Sequence, residues 1–224
     1  MKILCVSDEI DPLVHSFGIR DRFGDVDLVL SAGDLPMEYL SYIVSALNKP
    51  LAFVFGNHNL NDLPYYRPSL DFRAMPSHDY SRAVGATYVG FRIRRESGLI
   101  ILGLGGSLRY NVGDNQFTQA QMWLRVFAQV PGLLLNRLLF GRAVDIVLTH
   151  APPRGLHDRQ DPCHRGFAAF LWLMRAFKPR YLVHGHVHIY DARDPRRTEY
   201  RSTSVINACG YYLIDTGDDD ARSI

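Results

Sequence analysis

The stretch VHGHVHI, from Val183 to Ile189, places three histidines at alternate positions in an otherwise mostly apolar run. The apolar residues around the histidines predict a buried strand. Along an extended chain every second side chain points to the same face, so His186 and His188 are expected to lie side by side. Two imidazoles placed in this way can bind one metal ion or two adjacent ions.

Other apolar runs along the chain also have the length and boundaries of strands. They are KILCVSD (2–8), DLVLSAGD (27–34), LAFVFGNH (51–58), LIILGLGG (99–106), DIVLTH (145–150) and SVINACGYYLID (204–215). Helical periodicity lies between some of them, over 40–47 and 167–177, and Pro179 ends the second helix. Strands that alternate with helices indicate an α/β layered fold. We predict a single domain over 1–216, followed by an acidic tail at 217–224.

One segment, about 111–141, departs from this rhythm and is interpreted as a helical cap or insertion. Thr118 and Gln121 have the spacing of a capping box, and the helix that follows is expected to break at Pro131. The apolar residues of 122–140 can pack on the domain, form a homodimer interface or receive an apolar, lipid-like substrate. Packing on the domain or against a second copy is favoured, because apolar helix faces are ordinarily buried.

The composition favours a cytoplasmic protein without a strong signal for nucleic acid. The 224 residues carry a net charge of only +2, which gives no strong signal for nucleic acid. Cys5 and Cys209 lie in apolar runs and no CxxC pair occurs, so the cysteines are interpreted as reduced and structural. No apolar run reaches the length of about 18 residues that a transmembrane helix needs.

Polar residues cluster where the predicted strands end. In order they are Asp8, Asp34, Asn57 with His58, His150, and His186 with His188. Ligands of α/β folds bind outside the carboxyl ends of strands, so these side chains are expected to meet. If these polar side chains were buried together without a cation, their desolvation and mutual repulsion would destabilise the fold. Carboxylate, amide and imidazole donors suit a pair of Mn²⁺, Fe or Zn²⁺ ions that hold a phosphoryl group.

The same segments resemble, in the same order, those of the calcineurin-like metallophosphoesterases. They are SD (7–8), GD (33–34), GNH (56–58), TH (149–150) and GHVH (185–188), and they span most of the chain. Within that superfamily the sequence is similar to an uncharacterised bacterial branch. The resemblance implies a four-layer α/β/β/α sandwich with two sheets between helices. It also implies hydrolysis of a phosphomonoester or phosphodiester by a hydroxide held at a dinuclear metal site.

The resemblance further implies a role for each of these residues. Asp34 would bridge both metals, and Asp8 and His188 would bind the first. The second metal would be bound by Asn57, His150 and His186. His58 would face the substrate, where it would protonate the leaving oxygen or stabilise the transition state. The remaining histidine of the opening stretch, His184, lies outside the motif and is interpreted as a core or supporting residue.

Two positions depart from the family pattern. The first motif usually reads Asp-x-His, but here Ile10 takes the place of the histidine and removes one expected ligand. On an extended chain Glu9 should point away from the site, although a turn after Asp8 would make it an extra metal ligand. The third motif usually continues with an acid, but here Asn59 follows. We expect this amide to orient His58 without a charge and so to make it a weaker base.

Two segments are predicted to contact the substrate. The glycine-rich run GLGGSLRYN (103–111) can bind an anion through its N–H groups with Arg109 beside it, or it can be an ordinary tight turn. The segment DRQDPCHRGF (158–167) is expected to open a helix, from which His164 and Arg165 could reach a phosphate, while Asp161 is favoured as a helix cap. By contrast, His157 is predicted to be a surface residue.

A second class of function stays open at this point. Loss of the first-motif histidine would also fit a catalytically weakened, protein-binding scaffold of the same fold. The presence of His58 and of every ligand for the second metal favours the enzyme, because a scaffold needs neither.

Overall fold

The computed structural model describes residues 1–66, 85–191 and 193–217. Within these ranges the strands are β1 (Lys2–Ser7), β2 (Leu28–Ser31), β3 (Leu51–Phe53), β4 (Thr87–Tyr88), β5 (Arg92–Glu96), β6 (Leu99–Leu104), β7 (Ser107–Leu108), β8 (Gln116–Phe117), β9 (Ile146–Thr149), β10 (Tyr181–His184), β11 (Arg197–Tyr200), β12 (Thr203–Asn207) and β13 (Gly210–Asp215). The helices are α1 (Ile19–Phe23), α2 (Met37–Leu47), α3 (Leu63–Tyr66), α4 (Gln119–Phe140) and α5 (Ala168–Phe177). Both helices predicted from periodicity, α2 and α5, are therefore confirmed. The predicted acidic tail lies beyond the described residues except for Gly217.

The strands form two large sheets and one small pair. The first sheet has the order β13-β1-β2-β3-β4, and the second has the order β11-β12-β10-β9-β6-β5. Neighbouring strands are parallel except β13 against β1, β11 against β12 and β5 against β6. The parallel strands of each sheet therefore end at one edge, which is where ligands bind in such folds.

Alternate residues of each central strand belong to different apolar layers, as the period of two requires. In β1, Leu4 and Val6 pack with residues of α1 and α2, whereas Ile3 and Cys5 face the second sheet. In β9, Val147 packs with residues of α4 and α5, and its two neighbours face the first sheet. The structure therefore has four layers, in the order helices, first sheet, second sheet and helices, with an apolar layer between each pair of neighbours. This confirms the predicted four-layer sandwich.

The run SVINACGYYLID is not the single strand that its hydrophobicity predicts. It divides into β12, which belongs to the second sheet, and β13, which pairs with β1 in the first. The chain crosses between the sheets at Ala208 and Cys209, and Gly210 has a φ of +69° there. Both crossing residues stay buried. Hydrophobicity alone therefore gives no sign of the change of sheet.

Helix α4 begins as predicted but does not break at proline. The Thr118 hydroxyl accepts from the Gln121 N–H at 3.2 Å, and Gln121 Oε1 accepts from the Thr118 N–H at 2.9 Å, which confirms the capping box. The helix then continues through Pro131 to Phe140. Proline removes one internal hydrogen bond, but Val126 and Leu133 on either side of it are fully buried and hold the helix against the second sheet.

The outward face of α4 is apolar and open to solvent. Among its large residues Leu124 is 70% exposed, Leu134 is 54% exposed and Leu138 is 80% exposed. The helix as a whole carries no aspartate or glutamate. In the described part of the chain no helix combines the length and the hydrophobicity that crossing a membrane requires. Helix α4 thus covers the second sheet with one face and leaves the other uncovered.

Candidate metal centre

Three of the predicted ligands lie one to three residues beyond the ends of strands and adopt left-handed backbone conformations. The φ angles of Asp8, Asp34 and His186 are +62°, +58° and +67°. For residues with a Cβ this region costs on the order of 1 kcal/mol or more, and such residues concentrate at functional sites. Each sharp turn directs a polar side chain across the carboxyl edge of its sheet, instead of continuing the strand.

Asp34, His150 and His186 form a compact group, which we call the inner cluster. One ligand atom from each lies within 4.8 Å of the other two. His150 Nε2 is 3.2 Å from Asp34 Oδ2 and 3.2 Å from Asn57 Oδ1. His150 is fully buried, and Asn57 and His186 are only 8% and 6% exposed. The structure therefore brings together all the residues that the sequence predicts for the second metal.

Backbone groups orient both inner histidines. His150 Nδ1 is 2.8 Å from the Ala32 carbonyl oxygen, so it donates there and turns Nε2 toward Asp34. His186 Nε2 is 2.6 Å from the Cys163 carbonyl oxygen, which leaves the lone pair of a neutral ring on Nδ1. Hydrogen bonds of this kind fix the tautomer of histidines that bind metals.

The charges of the inner cluster are interdependent. Burial alone would raise the pKa of Asp34, but the charge and hydrogen bond of His150 hold that pKa at about 2. Burial would lower the pKa of His150, but the charge of Asp34 outweighs it and raises that pKa to about 9. Burial and the charge of His150 lower the pKa of His186 to about 3. The site is thus one carboxylate, one imidazolium and one neutral imidazole.

Asp8 supports the turn that carries His186. Both of its carboxylate oxygens accept from the His186 N–H, at 3.0 and 2.9 Å. Burial raises the pKa of Asp8 against the lowering effect of His150, and the charge of Asp34 adds to the increase. A divalent cation among these groups would balance both carboxylates and replace the proton on His150. The donor set therefore fits a metal ion.

Glu9 and His188 form a second group with Cys209, which we call the outer cluster. His188 Nδ1 is 2.8 Å from Glu9 Oε1. The expectation that Glu9 points away from the site is wrong, because the chain turns at Asp8 and the Glu9 N–H donates to the Ser7 carbonyl at 2.6 Å. Glu9 thus lies beside His188, while the side chain of Ile10 is 46% exposed.

Cys209 is the member of this group that the sequence did not indicate. It is 7% exposed, which agrees with the prediction of a buried structural residue. However, it follows the end of β12 at the same edge as Glu9 and His188. Burial raises the pKa of its thiol to about 11. A neutral thiol is a poor metal ligand, so Glu9 and His188 are the stronger donors.

His58 lies at the rim of the inner cluster, and its side chain is exposed. Its N–H donates to Asp34 Oδ1 at 2.7 Å, and its charge helps to lower the pKa of Asp34. Asn59 does not orient the His58 ring as expected. Its Nδ2 donates instead to the Asp34 carbonyl at 2.9 Å, from a left-handed conformation with a φ of +52°. Asn59 therefore supports the backbone that carries Asp34.

His164 lies next to the inner cluster, but not on a helix. Its ring centroid is 5.4 Å from that of His186, and its Nδ1 is 2.8 Å from Asp161 Oδ1. The segment was expected to open a helix, yet α5 begins only at Ala168. Asp161 Oδ1 accepts from the His164 N–H at 3.1 Å and closes a turn instead. The turn places His164 beside the predicted ligands.

Five N–H groups of the glycine-rich loop after β6 already donate within the protein, so they do not bind an anion. The N–H groups of Gly106, Ser107 and Arg109 donate to backbone carbonyls, and those of Tyr110 and Asn111 donate to the Gln116 side chain. The Arg109 side chain lines a neighbouring cleft. The loop does touch the site, because the Tyr110 hydroxyl accepts from Asn57 Nδ2 at 3.2 Å.

The prediction that His157 is a surface residue is wrong. Its Nδ1 is 2.9 Å from His184 Nε2, and its Nε2 is 2.8 Å from the Thr198 hydroxyl. Burial lowers the pKa of both histidines, that of His184 to about 3, so both rings are neutral. Donation then runs from Thr198 through His157 and His184 to the Gly185 carbonyl. His184 is thus a core residue that supports the turn before His186.

Comparison with known proteins agrees with this architecture. The sequence model of the family described as calcineurin-like phosphoesterase matches residues 1–190. This chain therefore belongs to that family, whose members bind divalent metals and are typically phosphoester hydrolases. The comparison with curated proteins found no match.

Solved structures support the fold alone. Two of them cover 97% of this chain and 95% of their own with 13% identity, at TM-scores of 0.62 and 0.60, and the second is the protein TT1561 of Thermus thermophilus. An archaeal phosphodiesterase has the same identity and coverage, but its TM-score of 0.42 is too low to carry an argument.

Proposed function

We propose that this chain is a metal-dependent phosphoesterase that hydrolyses a phosphomonoester or a phosphodiester at a dinuclear site. The observation that carries the proposal is the inner cluster, in which ligand atoms of one carboxylate and two buried imidazoles lie within 4.8 Å of one another. The Asp8 carboxyl group lies close enough to interact electrostatically with His150 and Asp34. Buried charges of this density are costly in a purely structural role and usually mark a functional site.

The two halves of the site would divide the ligands. Asp34 would bridge both metals, and Asn57 would complete the inner cluster. Asp8, Glu9 and His188 would hold the other metal, with Glu9 in the role of the missing histidine. Nitrogen and oxygen donors of this kind suit Mn²⁺, Fe or Zn²⁺. When bound, such a pair neutralises charge on a phosphoryl group and activates water as a nucleophile.

The remaining residues would act on the substrate. His58 has an exposed ring beside Asp34, where it can give a proton to the leaving oxygen. His164 lies on the Cys163 side of His186, where it can contact the phosphoryl group. Arg109 directly precedes Tyr110 and lines the neighbouring cleft, where it can bind a more distant part of the substrate.

Metal content by elemental analysis tests the proposal, after incubation with Mn²⁺ and removal of the excess. We expect about two metals per chain in the native protein and none in Asp34→Ala. Asp25→Ala is the matched control, because Asp25 pairs with Lys2 on the surface and should leave the metal content unchanged. A native protein that binds no transition metal would contradict the enzyme and leave the protein-binding scaffold as the better interpretation.

The homodimer or apolar-substrate contact through residues 122–140 stays a prediction, which the exposed apolar face of α4 supports. Phe127 and Leu135 on this face are 48% and 53% exposed. Light scattering that gives twice the chain mass would support a homodimer. A monomer that is retained on phospholipid vesicles would support an apolar, lipid-like substrate.

A further inference from the structure

Asp161, Cys163 and His164 form a third group of possible metal ligands, which we call the loop cluster. All three lie in the loop before α5, and one ligand atom from each lies within 4.8 Å of the other two. The group shares no residue with the inner or the outer cluster. Unlike the inner cluster it includes a thiol, and unlike Cys209 of the outer cluster, Cys163 is only partly buried.

The side chains of the loop cluster converge on one carboxylate oxygen. Asp161 Oδ1 accepts from Cys163 Sγ at 2.8 Å and from His164 Nδ1 at 2.8 Å, and those two donor atoms are 3.3 Å apart. The His164 N–H also donates to Oδ1, at 3.1 Å, and so fixes the carboxylate. Sulfur, nitrogen and oxygen therefore form a small triangle that is held together by two protons.

This triangle is close in size to one face of a zinc tetrahedron. Zinc lies about 2.3 Å from sulfur and about 2.0–2.2 Å from nitrogen or oxygen, so a tetrahedron separates its ligand atoms by about 3.3–3.7 Å. Each side of the triangle would lengthen by less than about 1 Å if an ion replaced the protons. The side chains of Asp161 and His164 are 42% and 30% exposed, so an ion can enter and water can be its fourth ligand.

The thiol of Cys163 is protonated for a different reason from that of Cys209. The hydrogen bond to Asp161 is the main cause that raises the pKa of Cys163, whereas burial raises the pKa of Cys209. A cation between Cys163 and Asp161 would take the place of the shared proton, so the carboxylate that retains the proton also attracts the ion. Burial of Cys209, by contrast, obstructs the entry of an ion.

We propose that the loop cluster is a further metal site, which binds Zn²⁺ or a similar thiophilic cation through Asp161, Cys163 and His164. A thiolate ligand favours zinc over Mn²⁺ and Mg²⁺, so this site and the proposed dinuclear centre would differ in metal preference. Binding releases the thiol proton to solvent. The proton of a neutral His164 moves from Nδ1 to Nε2, so one proton leaves the protein for each ion bound.

An ion at this site would stabilise the loop that supports the inner cluster. The Cys163 carbonyl accepts from His186 Nε2 at 2.6 Å. Three ligands from four consecutive residues restrict the backbone that carries this carbonyl. His164 Nε2 then carries a proton and can donate to a phosphoryl group. The inference goes beyond the proposed function and does not depend on it, because the dinuclear centre uses none of these ligands.

Titration with Co²⁺, a spectroscopic substitute for Zn²⁺, tests this inference. A bond between Co²⁺ and a thiolate gives an intense charge-transfer band in the near ultraviolet, which carboxylate and imidazole ligands do not. The titration is made under reducing conditions in Asp34→Ala, where the inner cluster lacks its carboxylate, and is repeated in the native background. We expect about one Co²⁺ per chain to produce the band and Zn²⁺ to abolish it.

Cysteine variants locate the thiolate. Cys163→Ser should lack the band in both backgrounds. Cys209→Ser is the matched control and should keep it, and thermal melting would confirm that both variants are folded. A native protein without the band would overturn the inference. A band that is lost in Cys209→Ser and kept in Cys163→Ser would also overturn it, because the ion would then lie in the outer cluster.

The other two ligands are tested by calorimetric titration with Zn²⁺ in the Asp34→Ala background. Asp161→Asn and His164→Gln should each weaken binding at least about tenfold, since loss of even an outer-shell partner lowers metal affinity about 10- to 100-fold. Asp191→Asn is the matched control, because Asp191 pairs with Arg193 on the surface. Native affinity in both ligand variants would overturn the three-residue site.

Failure of the proposed function has a different signature. A native protein that shows the Cys163-dependent band, but no Mn²⁺-dependent hydrolysis of phosphoesters, would support the loop cluster and contradict the phosphoesterase. Hydrolysis by a protein without the band would support the phosphoesterase and contradict the loop cluster.

Discussion

The inner and outer clusters have similar donors but very different surroundings. In the inner cluster the side chains of His150 and Asp34 are 0% and 8% exposed. In the outer cluster those of His188 and Glu9 are 35% and 54% exposed. The two inner histidines are fixed by backbone carbonyls, whereas His188 is held through a side-chain contact with Glu9. One half of the site is therefore preorganised, and the other can adapt.

This difference follows from how the ligands are packed and not from how far they lie from the strands. His150 directly follows β9 and Asp34 lies three residues beyond β2, whereas Glu9 and His188 lie two and four residues beyond β1 and β10. Buried histidines that are held by backbone hydrogen bonds share the rigidity of the core, so sequence change is better tolerated in the outer cluster.

The largest effect is expected when the residue that we propose to bridge both metals is changed. Asp34→Asn removes the charge of this carboxylate but keeps the shape of the side chain. We expect loss of both metals and a fall in phosphoester hydrolysis of at least about a thousandfold. Mn²⁺ should raise the melting temperature of the native protein and not that of the variant, because only a ligand that binds the folded state stabilises it. If Asp34→Asn retained both metals, Asp34 would not be the residue that bridges them.

A matched pair of histidine variants tests the contrast itself. His150→Gln leaves a buried site without its fixed imidazole, and we expect a loss of the inner metal and of activity on the order of a hundredfold or more. His188→Gln changes a partly exposed residue, and we expect its loss of activity to be about tenfold smaller. Kinetic assays over a range of Mn²⁺ concentrations distinguish the two, because excess metal should rescue only His188→Gln. Equal losses without rescue would show that the halves are equally rigid.

Sequence patterns predicted the inner half better than the outer half. The inner ligands follow strands whose hydrophobicity is plain, so their convergence at one edge follows from the fold class. The position of Glu9 depends on one backbone angle, the φ of +62° at Asp8, which no pattern of hydrophobicity reveals. For the same reason, hydrophobicity patterns did not predict the change of sheet after β12 or the contact of His157 with His184.

Exchanging the first-motif residues tests how far the outer cluster can adapt. Glu9→Gln removes the charge beside His188, and we expect the affinity for the more weakly bound metal to fall about tenfold. If Glu9 takes the place of the missing ligand, then Ile10→His in the Glu9→Gln background should restore part of that affinity. Metal titration in the two variants is the measurement. A Glu9→Gln protein with native affinity for both metals would show that Glu9 only pairs with His188.

The smallest expected effect concerns Asn59, next to the inner cluster. Its amide donates to the Asp34 carbonyl, so Asn59→Asp replaces a donor with a carboxylate that faces an oxygen. We expect a loss of about 1 kcal/mol in the free energy of unfolding, without a shift in the pH optimum, because the side chain does not contact the His58 ring. Asn59→Gly separates the two contributions, since glycine adopts the left-handed conformation readily and lacks the donor. If denaturation shows both variants equally destabilised, the hydrogen bond is responsible; a shifted pH optimum with native stability would restore the orienting role expected from the family pattern.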